Sequence, residues 1–133
     1  MESRRWETIN ELCDVIRETS SAIHCYHKNG HMEKVYEKAL AHRLRKQGVG
    51  VIQQHPLKVY DEDGTPIGDY YADLFVEGRL IVELKAARAI DNEHIAQLLG
   101  YLRSARIETG LLINFGAPKL YVKKFLMTDH DDF

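Results

Sequence analysis

The chain has 133 residues, of which 44% are apolar and 29% charged, with a formal net charge of −2. This length and composition predict one globular domain that can bury a core without disulfide or metal staples. A charge near zero does not mark a nucleic-acid-binding protein. It excludes little, because carboxylates that hold a cation would themselves lower the net charge.

The sequence shows no pattern of export or membrane insertion. No apolar run reaches the length of a transmembrane helix, and no apolar segment of a signal peptide follows the charged residues 1–5. Cys13 and Cys25 match no metal or redox spacing, so we expect both to be buried, reduced thiols. These features predict a cytoplasmic protein that does not enter a membrane.

Apolar residues at helical spacing predict two helices in the first third of the chain. The first covers residues 6–28, and Asn29 and Gly30 end it because both tolerate the left-handed conformation. The second runs from about His31 to Gln47. Its inward-facing residues are expected to be Met32, Val35, Tyr36, Ala39, Leu40 and Leu44.

The pattern then changes to the alternation typical of strands. Residues 49–54 and 56–60 are expected to be strands, with a turn at 61–64. Further elements are predicted as strands over 68–76 and 79–86, a helix over 91–105 capped by Asp91, and strands over 111–115 and 120–126. This order predicts an α/β or α+β domain with a central mixed sheet flanked by helices, and an acidic tail at 128–133.

Charged residues stand at the ends of two adjacent predicted strands, as Asp73 on the first and Glu83 and Lys85 on the second. Ionised groups beside a packed sheet cost on the order of several kcal/mol unless they pair or bind a metal. An acid on one strand, with an acid and a lysine on the next, is what a Mg²⁺-dependent phosphodiester-cleaving site needs. The alternative is an ordinary cross-strand ion pair.

The connection at Glu77 and Gly78 decides whether these groups meet. A two-residue loop would pair residue 76 with residue 79 and turn Asp73 and Glu83 to opposite faces. A three-residue loop, or a bulge with Gly78 in a left-handed conformation, places both carboxylates and Lys85 on one face. We predict the second arrangement.

Two helical pairs extend this pattern. Glu33 and Glu37 share one helix face, and Glu37 is expected at the edge of the buried stripe, where it would add a third carboxylate. The alternative is a solvated acidic ridge paired with neighbouring lysines. Gln97 and Tyr101 are also four residues apart, with His94 one turn earlier, and could order a water or contact a phosphate.

These motifs together resemble the GxxExxY proteins. Residues 30–36, Gly-His-Met-Glu-Lys-Val-Tyr, carry the pattern that names the family, and the resemblance runs from about Ile9 to Phe125. It also includes residues 72–74, 81–86, 97–102 and 110–115. That family is placed in the PD-(D/E)XK nuclease superfamily, so the resemblance implies a restriction-endonuclease-like core over 29–127 with 6–28 as an extra N-terminal helix.

The resemblance also implies roles for individual residues in a DNA-cleaving enzyme. Asp73, Glu83, the carbonyl of Leu84 and Glu37 would hold Mg²⁺ or Mn²⁺, Lys85 and Gln97 would act on the attacking water, and Tyr101, Tyr36 and Glu33 would contact substrate. Ala72 stands where the superfamily's name has a proline. The alternatives are a non-catalytic nucleic-acid- or protein-binding module, and an accessory subunit that forms a homodimer through its N-terminal helix.

Overall fold

The computed structural model describes residue 6 and residues 8–127, so the tail predicted at 128–133 lies outside the described residues. The described residues form three helices and five strands. Their bounds are α1 Ile9–His27, α2 Glu33–Lys46, β1 Val51–Tyr60, β2 Pro66–Val76, β3 Leu80–Lys85, α3 Asn92–Ala105, β4 Thr109–Asn114 and β5 Tyr121–Leu126.

The first helix begins later than predicted because Thr8 caps it. The Thr8 hydroxyl accepts from the Glu11 N–H at 3.0 Å, and the Glu11 carboxylate accepts from the Thr8 N–H at 3.1 Å. The apolar side of α1, including Leu12 and Ile16, is buried in the chain's own core. Since this was the face expected to support a homodimer, the homodimer stays a prediction without support from α1.

The turn between α1 and α2 differs from the expectation in two respects. The left-handed residues are Lys28, with φ 62°, and Gly30, whereas we had predicted Asn29 and Gly30. Met32 is 76% exposed and Val35 is 41% exposed, so both were wrongly predicted to face inward. Met32 precedes the first turn of α2 as its N-cap, and Val35 lies beside the buried stripe of that helix.

The five strands form one mixed sheet in the order β1-β2-β3-β4-β5. Neighbouring strands are antiparallel except β3 and β4, which α3 connects as a parallel pair. Helices α1 and α2 cover one face of the sheet and α3 covers the other, giving two cores. The predicted single-domain architecture with a central mixed sheet is confirmed.

The loop between β2 and β3 has the predicted length of three residues. Val76 pairs with Leu80 and Leu74 pairs with Val82, while Gly78 adopts a left-handed φ of 65°. Extending this register places Asp73 directly opposite Glu83, as predicted. A two-residue loop would have separated the two side chains.

Strands β1 and β2 change faces of the sheet partway along their length. Leu74 lies in the core beneath α1 and α2, but Ala72, two residues earlier, lies in the core beneath α3. On β1, Val51 and Leu57 are divided in the same way, although residues an even number apart normally share a face. The reversal falls where Gln54, with φ 52°, stands across from Asp73.

Two smaller expectations concern the cysteines and the membrane. Cys13 is buried as predicted, but Cys25 is exposed on α1, so the prediction was wrong for that residue. Across the part of the chain that the structure describes, no helix combines the length and apolar character needed to cross a lipid bilayer.

Candidate active site

The candidate site lies where β2 and β3 stop pairing. The main-chain register between them ends at Leu74 and Val82, and carboxylates then bind the main-chain N–H groups. Glu83 Oε2 accepts from the N–H of Asp73 at 3.0 Å, and Asp73 Oδ2 accepts from the N–H of Leu84 at 2.8 Å. The two acids therefore bridge the gap between the strands in place of ladder hydrogen bonds.

Burial, together with the charge of a neighbouring acid, makes both carboxylates hard to ionise. Glu83 is only 5% exposed, and burial, followed by the charge of Asp73, raises the pKa of Glu83 to about 8. Burial also raises the pKa of Asp73, although its hydrogen bonds from Leu84 and Gln54 work in the opposite direction. A pair of this kind is stabilised by a nearby positive charge.

Lys85 brings such a charge to the same face of β3, two residues after Glu83. Its Nζ donates to Gln97 Oε1 of α3 at 3.0 Å. The Lys85 charge opposes the rise in the pKa of both Glu83 and Asp73, so the ammonium lies within electrostatic reach of the acid pair. Within the described residues Lys85 makes no ion pair shorter than 4.0 Å, so a neutral amide holds the ammonium without neutralising it.

The second helix contributes Glu37, which is 2% exposed, from the other face of the sheet. Its carboxylate accepts three side-chain hydrogen bonds, from Lys34 at 3.0 Å, from Gln53 at 3.0 Å and from Gln54 at 2.9 Å. Glu37 is therefore buried and not part of a solvated acidic ridge, although it makes the ion pair with Lys34 that this alternative included.

Glu33 lies one turn earlier on α2 and stays exposed. Partial loss of solvation raises its pKa, and the charge of Asp73 is the next cause. The charge of Lys85 acts on Glu33 in the opposite direction. Glu33 is thus an exposed carboxylate within electrostatic reach of Asp73 and Lys85.

Of the two tyrosines predicted to contact substrate, Tyr101 lies beside the acids and Tyr36 does not. Burial, followed by the charge of Glu83, raises the pKa of Tyr101 to about 12, so its phenol remains protonated near neutral pH. Tyr36 is fully buried, stacks on Phe115 at 4.6 Å and donates to the carbonyl of Lys28 at 2.5 Å. The structure therefore gives Tyr36 a core role in place of a substrate contact.

Sequence reasoning grouped His94 with Gln97 and missed the two glutamines of β1. The imidazole of His94 completes the capping box of α3 with Asp91 and does not point to the acids. Gln53 and Gln54 both donate to Glu37, and Gln54 also reaches Asp73 Oδ1 at 3.3 Å. Two adjacent amides in a strand, where alternation would place an apolar residue, were the available signal.

The donor chemistry fits a hard divalent cation. Within the described residues, no three His, Cys, Asp or Glu side chains are arranged as a metal-binding group. Mg²⁺ nevertheless needs only one or two carboxylates, because waters and other oxygens complete its shell. Burial raises the pKa of Asp73, Glu83 and Glu33, and neighbouring acids add to the shift, so a bound cation would favour the ionised form of these groups.

Comparison with known proteins identifies the fold of this site. The profile described as the PD-(D/E)XK nuclease superfamily matches residues 10–125, which include each of the acids above. The crystal structure of SSO0001 is similar in fold, with a TM-score of 0.56 at 16% sequence identity, and the match covers 97% of this chain. This chain spans only 63% of that structure. No curated protein matches the chain. The superfamily expected from the sequence is confirmed, and the narrower resemblance to GxxExxY proteins stays a prediction.

Proposed function

This chain belongs to the PD-(D/E)XK nuclease superfamily, and we propose on that basis that it is a Mg²⁺- or Mn²⁺-dependent nuclease that hydrolyses phosphodiester bonds in DNA. The observation that supports this most strongly is the meeting of Asp73, Glu83 and Lys85 at the gap between β2 and β3. The main-chain pairing of β2 with β3 ends at this point, and the two carboxylates bind the main-chain N–H groups in its place.

Asp73 and Glu83 would hold the cation through carboxylate oxygens, together with the carbonyl of Leu84. Each acid uses one oxygen for a main-chain N–H across the gap, which fixes the direction of both side chains. When bound, a divalent cation polarises the scissile phosphate and lowers the pKa of a water molecule.

The two glutamates of α2 would have different roles. The oxygens of Glu37 already accept from Lys34, Gln53 and Gln54, so we assign Glu37 to the support of the site or to contact through water. Glu33 is exposed and lies within the electrostatic influence of Asp73 and Lys85. We therefore assign Glu33 to a water of the cation or to the approaching substrate.

Lys85 and Tyr101 would act on the phosphate and on the attacking water. The amide oxygen of Gln97 holds the Lys85 ammonium without supplying a counter-charge. A fixed positive charge there offsets the negative charge that develops on phosphorus. Tyr101 remains protonated and so serves as a hydrogen-bond donor, not as a base.

A cleft at the same end of the sheet would receive the nucleic-acid backbone. It has a volume of about 450 Å³ and includes Arg88, Lys119 and Tyr121 in its lining. Asn114 also lines this cleft and pairs with Lys85 in the β3–β4 register, so the cleft adjoins the catalytic lysine. Two cations beside an aromatic ring suit a phosphate and a base.

The central test is metal-dependent cleavage. We expect purified protein to cut supercoiled, linear or single-stranded DNA with Mg²⁺ or Mn²⁺, and to lose that activity with EDTA. Lys85→Ala and Asp73→Ala should each reduce the rate by about 10³-fold, since each removes charge at the reacting phosphate. RNA of the same sequence, tested in parallel, identifies the preferred nucleic acid.

Matched controls come from the hairpin of β1 and β2. Lys58 and Asp69 form an exposed ion pair at 3.2 Å, and Asp69 lies on the same strand as Asp73. Lys58→Ala and Asp69→Ala should therefore cleave like the wild type. Folded protein that binds DNA without cutting it would favour the non-catalytic binding module, and cleavage unchanged in Lys85→Ala and Asp73→Ala would rule out this site.

A further inference from the structure

Gln54 combines two unusual features within one strand residue. Its backbone adopts φ 52°, a left-handed conformation that glutamine rarely occupies and that persists only where the surrounding structure holds it. Its pairing position across from Asp73 is skipped, although the residues on both sides of it pair in unbroken register with β2. The strand thus turns its side chains to the other face at Gln54 without gaining or losing a residue.

The amide of Gln54 uses this backbone conformation to contact two acids at once. Nε2 donates to Glu37 Oε1 at 2.9 Å and to Asp73 Oδ1 at 3.3 Å. One acid comes from α2 and the other from β2, so the contact joins the helix to the strand that carries the acid pair. Two N–H donors on one nitrogen can satisfy both acceptors without introducing a charge.

We propose that Gln54 is a positioning residue that sets the metal affinity of the site by locking Asp73 in place against Glu37. This inference rests on the proposed function, because it concerns the cation that Asp73 would hold. Asp73 Oδ2 is fixed by the N–H of Leu84, and only Gln54 donates to Oδ1 among the described residues. Without the amide, the Asp73 carboxylate would rotate about that single contact.

Gln53 provides the matched comparison within the same strand. Its amide also donates to Glu37, at 3.0 Å, but its other partner is Arg45 and not Asp73. Loss of Gln53 therefore removes one hydrogen bond to Glu37 and leaves the link to Asp73 intact. A difference between the two glutamines reports on that link.

The experiment measures Mn²⁺ binding by calorimetry on the full chain in the absence of nucleic acid. Gln54→Gly removes the amide while keeping a residue that adopts positive φ readily, so the unfolding midpoint should stay close to the wild type. The Mn²⁺ dissociation constant should rise by about 10- to 100-fold, as expected when a partner of a metal ligand is lost. Gln53→Ala should change it far less.

Cleavage kinetics supply a second readout. In Gln54→Gly, raising the Mn²⁺ concentration should restore much of the lost rate at saturating DNA, whereas general damage to the fold would not respond to metal. Gln54→Met, which keeps the length of the side chain but not its donors, should show the same loss of affinity and replaces Gln54→Gly if the glycine variant does not fold.

The outcomes separate this inference from the proposed function. Wild-type protein that binds no Mn²⁺ overturns the metal-dependent nuclease and this inference with it. Wild-type binding that is unchanged in Gln54→Gly and in Gln54→Met overturns the role of Gln54 alone. Equal losses in Gln53→Ala and Gln54→Gly would assign the effect to Glu37 and also overturn the role proposed here.

Discussion

The two sides of strand β3 are built for opposite purposes. Towards β4, six residue pairs run without interruption from Leu80 and Thr109 to Lys85 and Asn114. The side chain of Asn114 then continues the seam, since it accepts from the N–H of Ala87 at 2.9 Å and donates to its carbonyl at 3.0 Å. Towards β2, pairing stops after three pairs and two carboxylates occupy the gap.

This contrast shows how one strand can be held rigidly and still present reactive groups. The parallel seam with β4 fixes the backbone of Glu83 and Lys85, because every ladder position there is used. The side towards β2 is left with acids whose pKa values are raised and whose charges repel. Pairing with β4 therefore stabilises the strand, and the buried acids on the side of β2 destabilise it. This is expected where a site needs preorganised charge.

The largest effect is expected from Glu83→Gln, at the gap between β3 and β2. Cleavage should fall by about 10³-fold, since a cation ligand becomes neutral. Without metal, the variant should be more stable than the wild type at pH 8. The folded-state pKa of Glu83, about 8, lies above its ordinary value of 4.5, so the contribution of Glu83 to stability is highest below about pH 4.5 and falls as the pH rises to about 8, because the unfolded chain ionises first.

Thermal unfolding across pH in metal-free buffer measures this difference. The stability gained by Glu83→Gln should be absent near pH 4 and grow to at most roughly 5 kcal/mol above pH 8. Added Mn²⁺ should stabilise the wild type and not the variant. Parallel pH profiles for the two proteins would contradict the proposed burial of an ionisable Glu83.

The side of β3 that pairs with β4 should respond differently, and Asn114→Ala tests this. Asn114 is 1% exposed, and its loss leaves the N–H and carbonyl of Ala87 and the N–H of Gly116 without their partner. We expect a loss of about 2–3 kcal/mol in unfolding free energy. The loss should be the same at pH 5 and pH 8 and with or without Mn²⁺, unlike the effect at Glu83.

The control is Asn29→Ala, because Asn29 is exposed in the turn after α1. This variant should unfold like the wild type. A pH-dependent or metal-dependent loss in Asn114→Ala would mean that the seam and the acid gap are coupled, and that the two sides of β3 are not independent.

The sequence predicted much of this contrast because periodicity and loop length act locally. The apolar run of residues 111–115 indicated strand β4, and the three-residue loop before β3 was enough to place Asp73 opposite Glu83. Gln54 could not be predicted, because its left-handed backbone depends on contacts with Glu37 and Asp73 from distant segments. Helical spacing correctly predicted that Tyr36 faces inward, whereas the substrate contact that the resemblance implied for it conflicts with its burial and its stack on Phe115.

A smaller effect is expected from Tyr101→Phe, on the helix α3 that covers this face of the sheet. The ring would keep its contact with Tyr70, whose centroid lies 4.5 Å away, so only the hydroxyl is lost. We expect a loss of about tenfold or less in cleavage rate. Because the pKa of Tyr101 is about 12, the pH–rate profile between pH 7 and 10 should keep its shape.

Tyr71→Phe is the matched control, because Tyr71 is 59% exposed on the same strand as Tyr70. A Tyr101→Phe variant that changes the shape of the profile near pH 9 would identify the phenol as a titrating group, in conflict with the raised pKa.

The smallest effect is expected from Arg88→Ala, which tests whether the cleft beside Asn114 binds the substrate backbone. Arg88 lines the cleft next to Lys85, so its loss should raise KM for DNA about three- to tenfold and leave kcat unchanged.

The control is Lys46, which lines another cleft, of about 580 Å³, and follows Glu37 by nine residues, or roughly two and a half turns of α2. It therefore faces away from the site, and Lys46→Ala should leave KM unchanged. The salt dependence of binding should weaken in Arg88→Ala alone, since each phosphate contact contributes to that slope. The reverse result would place the nucleic acid on the outer side of α2, away from the acid pair, and would separate DNA binding from the chemistry at β3.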